Sequence, residues 1–144
     1  MTPIDPNQTL VEAQYRSLLI IWASMLIAVG GFLLMTILVP SKAQPEDKIL
    51  PIALTAVGFA NVVLSFILKK SFLAKSVAQQ DLKLVQQAYI VALALCESAA
   101  LFGLLIHFIT GSVYYYAAFA IALIGMLLHF PMKQHLLDAS FKRM

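Results

Sequence analysis

The chain has 144 residues, of which 61% are hydrophobic and only 12% charged. That excludes an ordinary soluble domain of this size, in which about a quarter of the residues carry charge. The net charge of +3 comes from bases scattered beside the apolar runs, which argues against a nucleic-acid surface, and the single cysteine, Cys96, cannot form an internal disulfide. The composition is that of an integral membrane protein.

Met1 to Ser17 is a polar leader in which Asp5 and Glu12 oppose Arg16. Leu18 to Val39 follows as an apolar run closed by Pro40. A bilayer crossing takes about 20 apolar residues, and this run exceeds the core of a typical signal peptide, so it reads as an uncleaved helix. The second run, Leu50 to Leu68, opens with Pro51 in its first turn, where a missing backbone donor is harmless, and stops at Lys69 and Lys70. Next comes a mixed connection, Lys69 to Gln87, whose spacing fits extensions of the flanking helices or a short interfacial helix. It reads either as a docking surface or as a solvated turn. A third run covers Ala88 to Ile109, and Thr110, Gly111 and Ser112 turn into a fourth, Val113 to Phe130, closed by Pro131 and Lys133. The expected fold is therefore all-α, a single membrane domain of four transmembrane helices in an up-down bundle.

With four crossings, the two termini and the central connection share one face. That face carries Arg16, Lys69, Lys70, Lys75, Lys83, Lys133, Lys142 and Arg143, whereas Lys42 and Lys48 fall opposite. The positive-inside rule then makes both termini cytoplasmic, in what reads as a bacterial plasma membrane.

Glu97 is the only acid inside the four runs, and no Lys or Arg accompanies it there. A carboxylate at mid-bilayer costs about 3 kcal/mol on insertion scales, so Glu97 is expected to face protein or water, or to hold a proton. Counted from the cytoplasmic edge, Asn61 on the second run lies at a similar depth, which suggests that its amide donates to Glu97, with Ser65 or Ser98 adding a hydroxyl. Gly58 on the second helix and Ala92, Cys96, Ala99 and Gly103 on the third would supply a close helix approach, as Ala118, Ala122 and Gly125 would on the fourth. The alternative role for the polar pair is to pin two helices in register.

The stretch Gln80-Asp81, followed by Ala88-Tyr89-Ile90-Val91-Ala92-Leu93-Ala94-Leu95-Cys96-Glu97-Ser98-Ala99-Ala100-Leu101-Phe102-Gly103-Leu104-Leu105, resembles the carboxylate hairpin of the proteolipid c subunit of rotary ATP synthases. The pattern is an acid, a small residue, four positions, then Gly-Leu. The resemblance covers about Gln79 to Leu105, and the flanking spans do not match. It implies a proton or cation bound at Glu97, with Asn61 as a partner.

His107, His129 and His135 do not fall at a metal-ligand spacing with Glu97, so no metal site is expected, nor any cofactor. Trp22 fits either interfacial anchoring or the bundle interior, and Tyr114, Tyr115 and Tyr116 fit the interface. Three functions remain. The first is a non-enzymatic subunit or accessory component of a membrane complex, with other membrane subunits or a second copy as partners. The second is proton or cation handling through Glu97, and the third a membrane enzyme or lipid-binding protein. No catalytic constellation can be assembled from these residues, so an enzyme is not expected.

Overall fold

The computed structural model describes residues 6–41 and 48–140, with side chains from residue 9 onward. It contains α1 (Pro6–Leu38), α2 (Ile49–Gln79), α3 (Leu82–Thr110), α4 (Tyr115–Leu128) and α5 (Lys133–Ser140), with no strand among the described residues. The first three are long and apolar enough to be compatible with crossing a bilayer, and α4 with α5 forms a pair bent by 47° that brings the possible crossings to four. Lys42, Lys142 and Arg143, three of the bases used to orient the chain, lie outside the described residues.

The helices extend well beyond the apolar runs. α1 begins at Pro6, where a fixed φ and a missing donor suit a first turn. α2 continues past Lys69 to Gln79, and α3 starts at Leu82, so the central connection is two helical extensions joined at Gln80 and Asp81. Gln80 takes a left-handed conformation (φ 54°, ψ 43°) and its amide closes on the Ser76 carbonyl. Asp81 then caps α3, its carboxylate accepting from the Lys83 amide at 2.8 Å. Each supplies a partner for a backbone group that a helix end leaves open.

α3 is the hub and touches each of the other helices. Its buried residues Val85, Tyr89, Ala92, Cys96, Ala99, Gly103, Ile106 and Thr110 follow one another at alternating spacings of four and three, which keeps a single seam on one side of the helix. Small residues along this seam bring backbones together. A Cβ placed on Gly58 of α2 would stand 3.2 Å from the Ala99 Cβ and 3.3 Å from its Cα. One on Gly103 would meet the Phe119 ring at 3.0 Å, and one on Gly125 would lie 2.9 Å from both the Cys96 Sγ and the Val62 Cγ1.

The fourth helix differs from its sequence reading. It spans Tyr115–Leu128, 14 residues or about 21 Å, and ends before the expected limit at Phe130. Pro131 has no amide to donate and disfavours helical geometry at Phe130, so the chain breaks and restarts as α5. α5 folds back on the ends of α1, α2 and α3, burying Leu136 and Ala139 in a second cluster with Val11, Leu18, Val85 and Tyr89.

Candidate functional site

The four polar residues picked out by sequence do not form one site. The Asn61 Nδ2 donates to the Ser98 Oγ at 2.8 Å, and the Ser98 hydroxyl donates to the Leu95 carbonyl at 2.7 Å. The Glu97 carboxyl makes no hydrogen bond or ion pair with another described residue, and its expected bond with Asn61 is not formed. Helix geometry gives the reason. Ala99 is the residue seated against Gly58 of α2, and Glu97 lies two residues earlier, about 200° around α3. Similar depth brought Asn61 to α3, but phase gave it Ser98.

Glu97 instead sits half-buried at the edge of the outward stripe of α3, formed by Ile90, Ala94, Leu101, Leu105 and Phe108, all exposed. The expectation that Asn61 donates to Glu97 is therefore corrected: the seam takes Cys96 and Ala99 inward, Ser98 meets Asn61, and Glu97 is left at the outer edge.

Ser65 belongs to a separate interior cluster. Its hydroxyl donates to the Val62 carbonyl at 2.6 Å and lies 3.3 Å from the His129 Nε2 and 3.7 Å from the Cys96 Sγ. The His129 Nδ1 meets the Gly125 carbonyl at 2.7 Å, which can only accept, so the ring proton sits on Nδ1 and Nε2 is left as an acceptor. Ser65, Cys96 and His129 are each 0% exposed. Sealed from solvent, the serine, thiol and imidazole bring α2, α3 and α4 together at one level.

The break between α4 and α5 gathers residues that sequence reading undervalued. Trp22 of α1 donates its indole N–H to the Met126 carbonyl at 2.9 Å. The Met132 amide donates to the Tyr89 hydroxyl at 3.0 Å, and that hydroxyl meets the His135 Nδ1 at 2.7 Å. Backbone groups released by the broken helix are thus taken up by side chains of α1 and α3. Lys69 stands beside them, its ammonium 4.2 Å from the Tyr89 ring centre. Tyr89 and the Pro131 break together were the available signal, since a tyrosine deep in an apolar run needs a hydroxyl partner.

At the same end, the Lys133 ammonium donates to the Glu12 carboxylate at 2.6 Å and ties α5 to α1. The Lys133 hydrogen bond and charge, helped by Arg16, hold the Glu12 carboxyl below its usual range. At the other end the His107 Nε2 meets the Val39 carbonyl at 2.9 Å, joining α3 to the end of α1, and packs edge-on against Tyr115. No group of three or more His, Cys, Asp or Glu among the described residues is arranged to hold a metal ion. No protein-family model, curated protein or solved structure matches the chain.

Proposed function

We propose that the chain is an integral membrane protein, a four-crossing bundle with both termini cytoplasmic, and that it serves as a non-enzymatic subunit or accessory component of a membrane complex. Glu97 is its contact residue. The observation that carries this reading is a carboxyl without a partner among the described residues, at the edge of an exposed apolar stripe. Left against lipid it costs about 3 kcal/mol; a neighbouring helix that presents a donor at that depth removes the cost and gains a hydrogen bond. The stripe therefore fits a second membrane helix bearing an amide, hydroxyl or basic group.

Topology is tested by cysteines placed singly at Ser41 and Lys75 in a Cys96→Ala background: an impermeant reagent outside intact cells should label the first and spare the second. Partner contact is tested by a photo-crosslinking residue at Leu101, one turn from Glu97, compared with one at Ile27 on the far-exposed side of α1. Crosslinks to a protein are expected from Leu101 alone and should disappear with Glu97→Leu. Equal crosslinking from both positions would remove the reading.

The second reading is proton or cation handling at Glu97, in the manner of the proteolipid subunit it resembles. It draws on the same exposure, which leaves the carboxyl open to exchange. Transport lost in Glu97→Gln while the Leu101 crosslink persists would favour it.

A further inference from the structure

The end of α2 and the side of α5 enclose a groove of about 560 Å³ that the contact at Glu97 does not use. Phe66 and Leu73 give it apolar walls, Lys69, Lys70 and His135 give it donors, and Asp138 stands at its rim. It straddles Leu68, the last residue of the apolar run, so Phe66 lies on the apolar side of the lysines and Leu73 on the polar side. This is the level at which lipid headgroups meet acyl chains.

The polar atoms of the groove are set in advance. Tyr89 is 0% exposed and its hydroxyl meets two groups among the described residues, the Met132 amide at 3.0 Å, which can only donate, and the His135 Nδ1 at 2.7 Å, which is therefore the acceptor for the phenol proton. The neutral imidazole then carries its remaining proton on Nε2. Burial, with the Lys69 ammonium nearby, holds His135 below its usual range, while Asp138 acts in the opposite direction. Lys69 is 9% exposed, rests on the Tyr89 ring, and makes no ion pair among the described residues. Lys70 is exposed and likewise makes no ion pair among the described residues. Asp138 accepts from the Gln134 side chain at 2.9 Å and keeps a second oxygen for a hydroxyl donor.

We propose that this groove binds an anionic glycerophospholipid from the leaflet at the basic end of the bundle. The phosphate sits between the Lys69 and Lys70 ammonium groups and the His135 Nε2–H, a headgroup hydroxyl reaches Asp138, and an acyl chain leaves along Phe66. Two ammonium groups against one carboxylate leave the groove net positive, which selects an anionic over a zwitterionic lipid. The inference rests on membrane insertion but not on the role of Glu97.

The test is native mass spectrometry of the full chain in detergent micelles, titrated with phosphatidylglycerol, phosphatidylcholine or inorganic phosphate. Phosphatidylglycerol should bind in preference to phosphatidylcholine, and Lys70→Gln, an exposed change that leaves the fold intact, should weaken that binding about fivefold, the share of one lysine at an anionic surface. Lys69→Gln should weaken it at least as much, and Lys83→Gln, an exposed lysine away from the groove, should have no effect. Equal binding of the two lipids, or a preference that survives Lys70→Gln, would overturn the proposal. Competition by inorganic phosphate at concentrations equal to the lipid would overturn the lipid as occupant. Carbonate washing of membranes separates this from failure of the insertion itself: a chain released by the wash is not inserted, whereas a retained chain without lipid preference sinks only the groove.

Discussion

The Trp22 indole donates to the Met126 carbonyl at 2.9 Å, so a side chain from the first helix completes the last turn of the fourth. The same carbonyl also accepts from the His129 amide at 3.1 Å, and the Trp22 ring meets Phe130 edge-on at 5.2 Å. Trp22→Phe keeps the ring contact and deletes the donor. The expected loss is about 1 kcal/mol, the net worth of one such hydrogen bond, read as a lower thermal midpoint in detergent. Trp22→Ala should lower it further because the ring packing goes too.

Glycines at different places in the bundle should respond in opposite directions. Gly125 faces Cys96 and Val62 so closely that an added methyl stands 2.9 Å from each, and Gly125→Ala should cost about 1–3 kcal/mol through overpacking. Gly31 on α1 has nothing within 4 Å of such a methyl. Gly31→Ala should be neutral or raise stability by up to about 1 kcal/mol, since alanine loses less entropy in a helix. Paired melts of the two variants decide the matter.

Gln80 pays for the turn between α2 and α3. It holds φ at 54°, a region costly to any residue with a Cβ, and its Oε1 is buried with no hydrogen-bond partner among the described residues. Gln80→Gly removes both costs and gives up only the weak bond from Nε2 to the Val77 carbonyl at 3.2 Å. A gain of about 1 kcal/mol in unfolding free energy is expected. A loss would show that the side chain, not the backbone, holds this turn.

The Glu12–Lys133 contact gives the junction of α1 and α5 a pH dependence of known sign. The folded Glu12 carboxyl binds its proton less readily than its ordinary value near 4.5 implies, because Lys133 favours the ionised form. Its contribution is therefore complete above that ordinary value and is lost as pH falls through the lowered folded value. Spin labels on α1 and α5 should report a wider distance distribution in acid than at neutral pH, and Glu12→Gln should show the wide distribution throughout. Added salt should blunt the difference, since both groups are well exposed.

Element type was legible in the chain because apolar runs of spanning length admit few alternatives. Gly58, Ala92, Cys96, Ala99 and Gly103 stood out because small residues at helical spacing permit close backbones, and the contacts at Gly58 and Gly103 have that form. The helix ends were less legible: the polar connection gives no apolar signal, yet α2 and α3 continue through it until Gln80. The pairing at Asn61 was misread for a different cause. Counting residues fixes depth along a helix but not which side faces a neighbour, and one residue of phase separates Ser98 from Glu97. Tyr89 gained the Met132 amide and His135 as partners only through the bend at Pro131; the proline marks the break, but where the following helix lands is a tertiary matter.

That difference of phase yields a prediction at Glu97 itself. A hydrophobic carbodiimide reaches protonated carboxyls from the lipid side, and the half-buried Glu97, without a partner among the described residues, is open to it. The isolated chain should be labelled there, and Glu97→Gln should not. If Asn61 held the carboxyl, removing its amide would change the rate of labelling; because Asn61 donates to Ser98 at 2.8 Å instead, Asn61→Leu should leave the rate unchanged while lowering the thermal midpoint through the lost interhelical bond. A rate that shifts with Asn61→Leu would place the two side chains in contact in the membrane and restore the single polar site read from the sequence. Protection of Glu97 in native membranes, relieved on purification, would identify the covering partner as the group that supplies the missing donor.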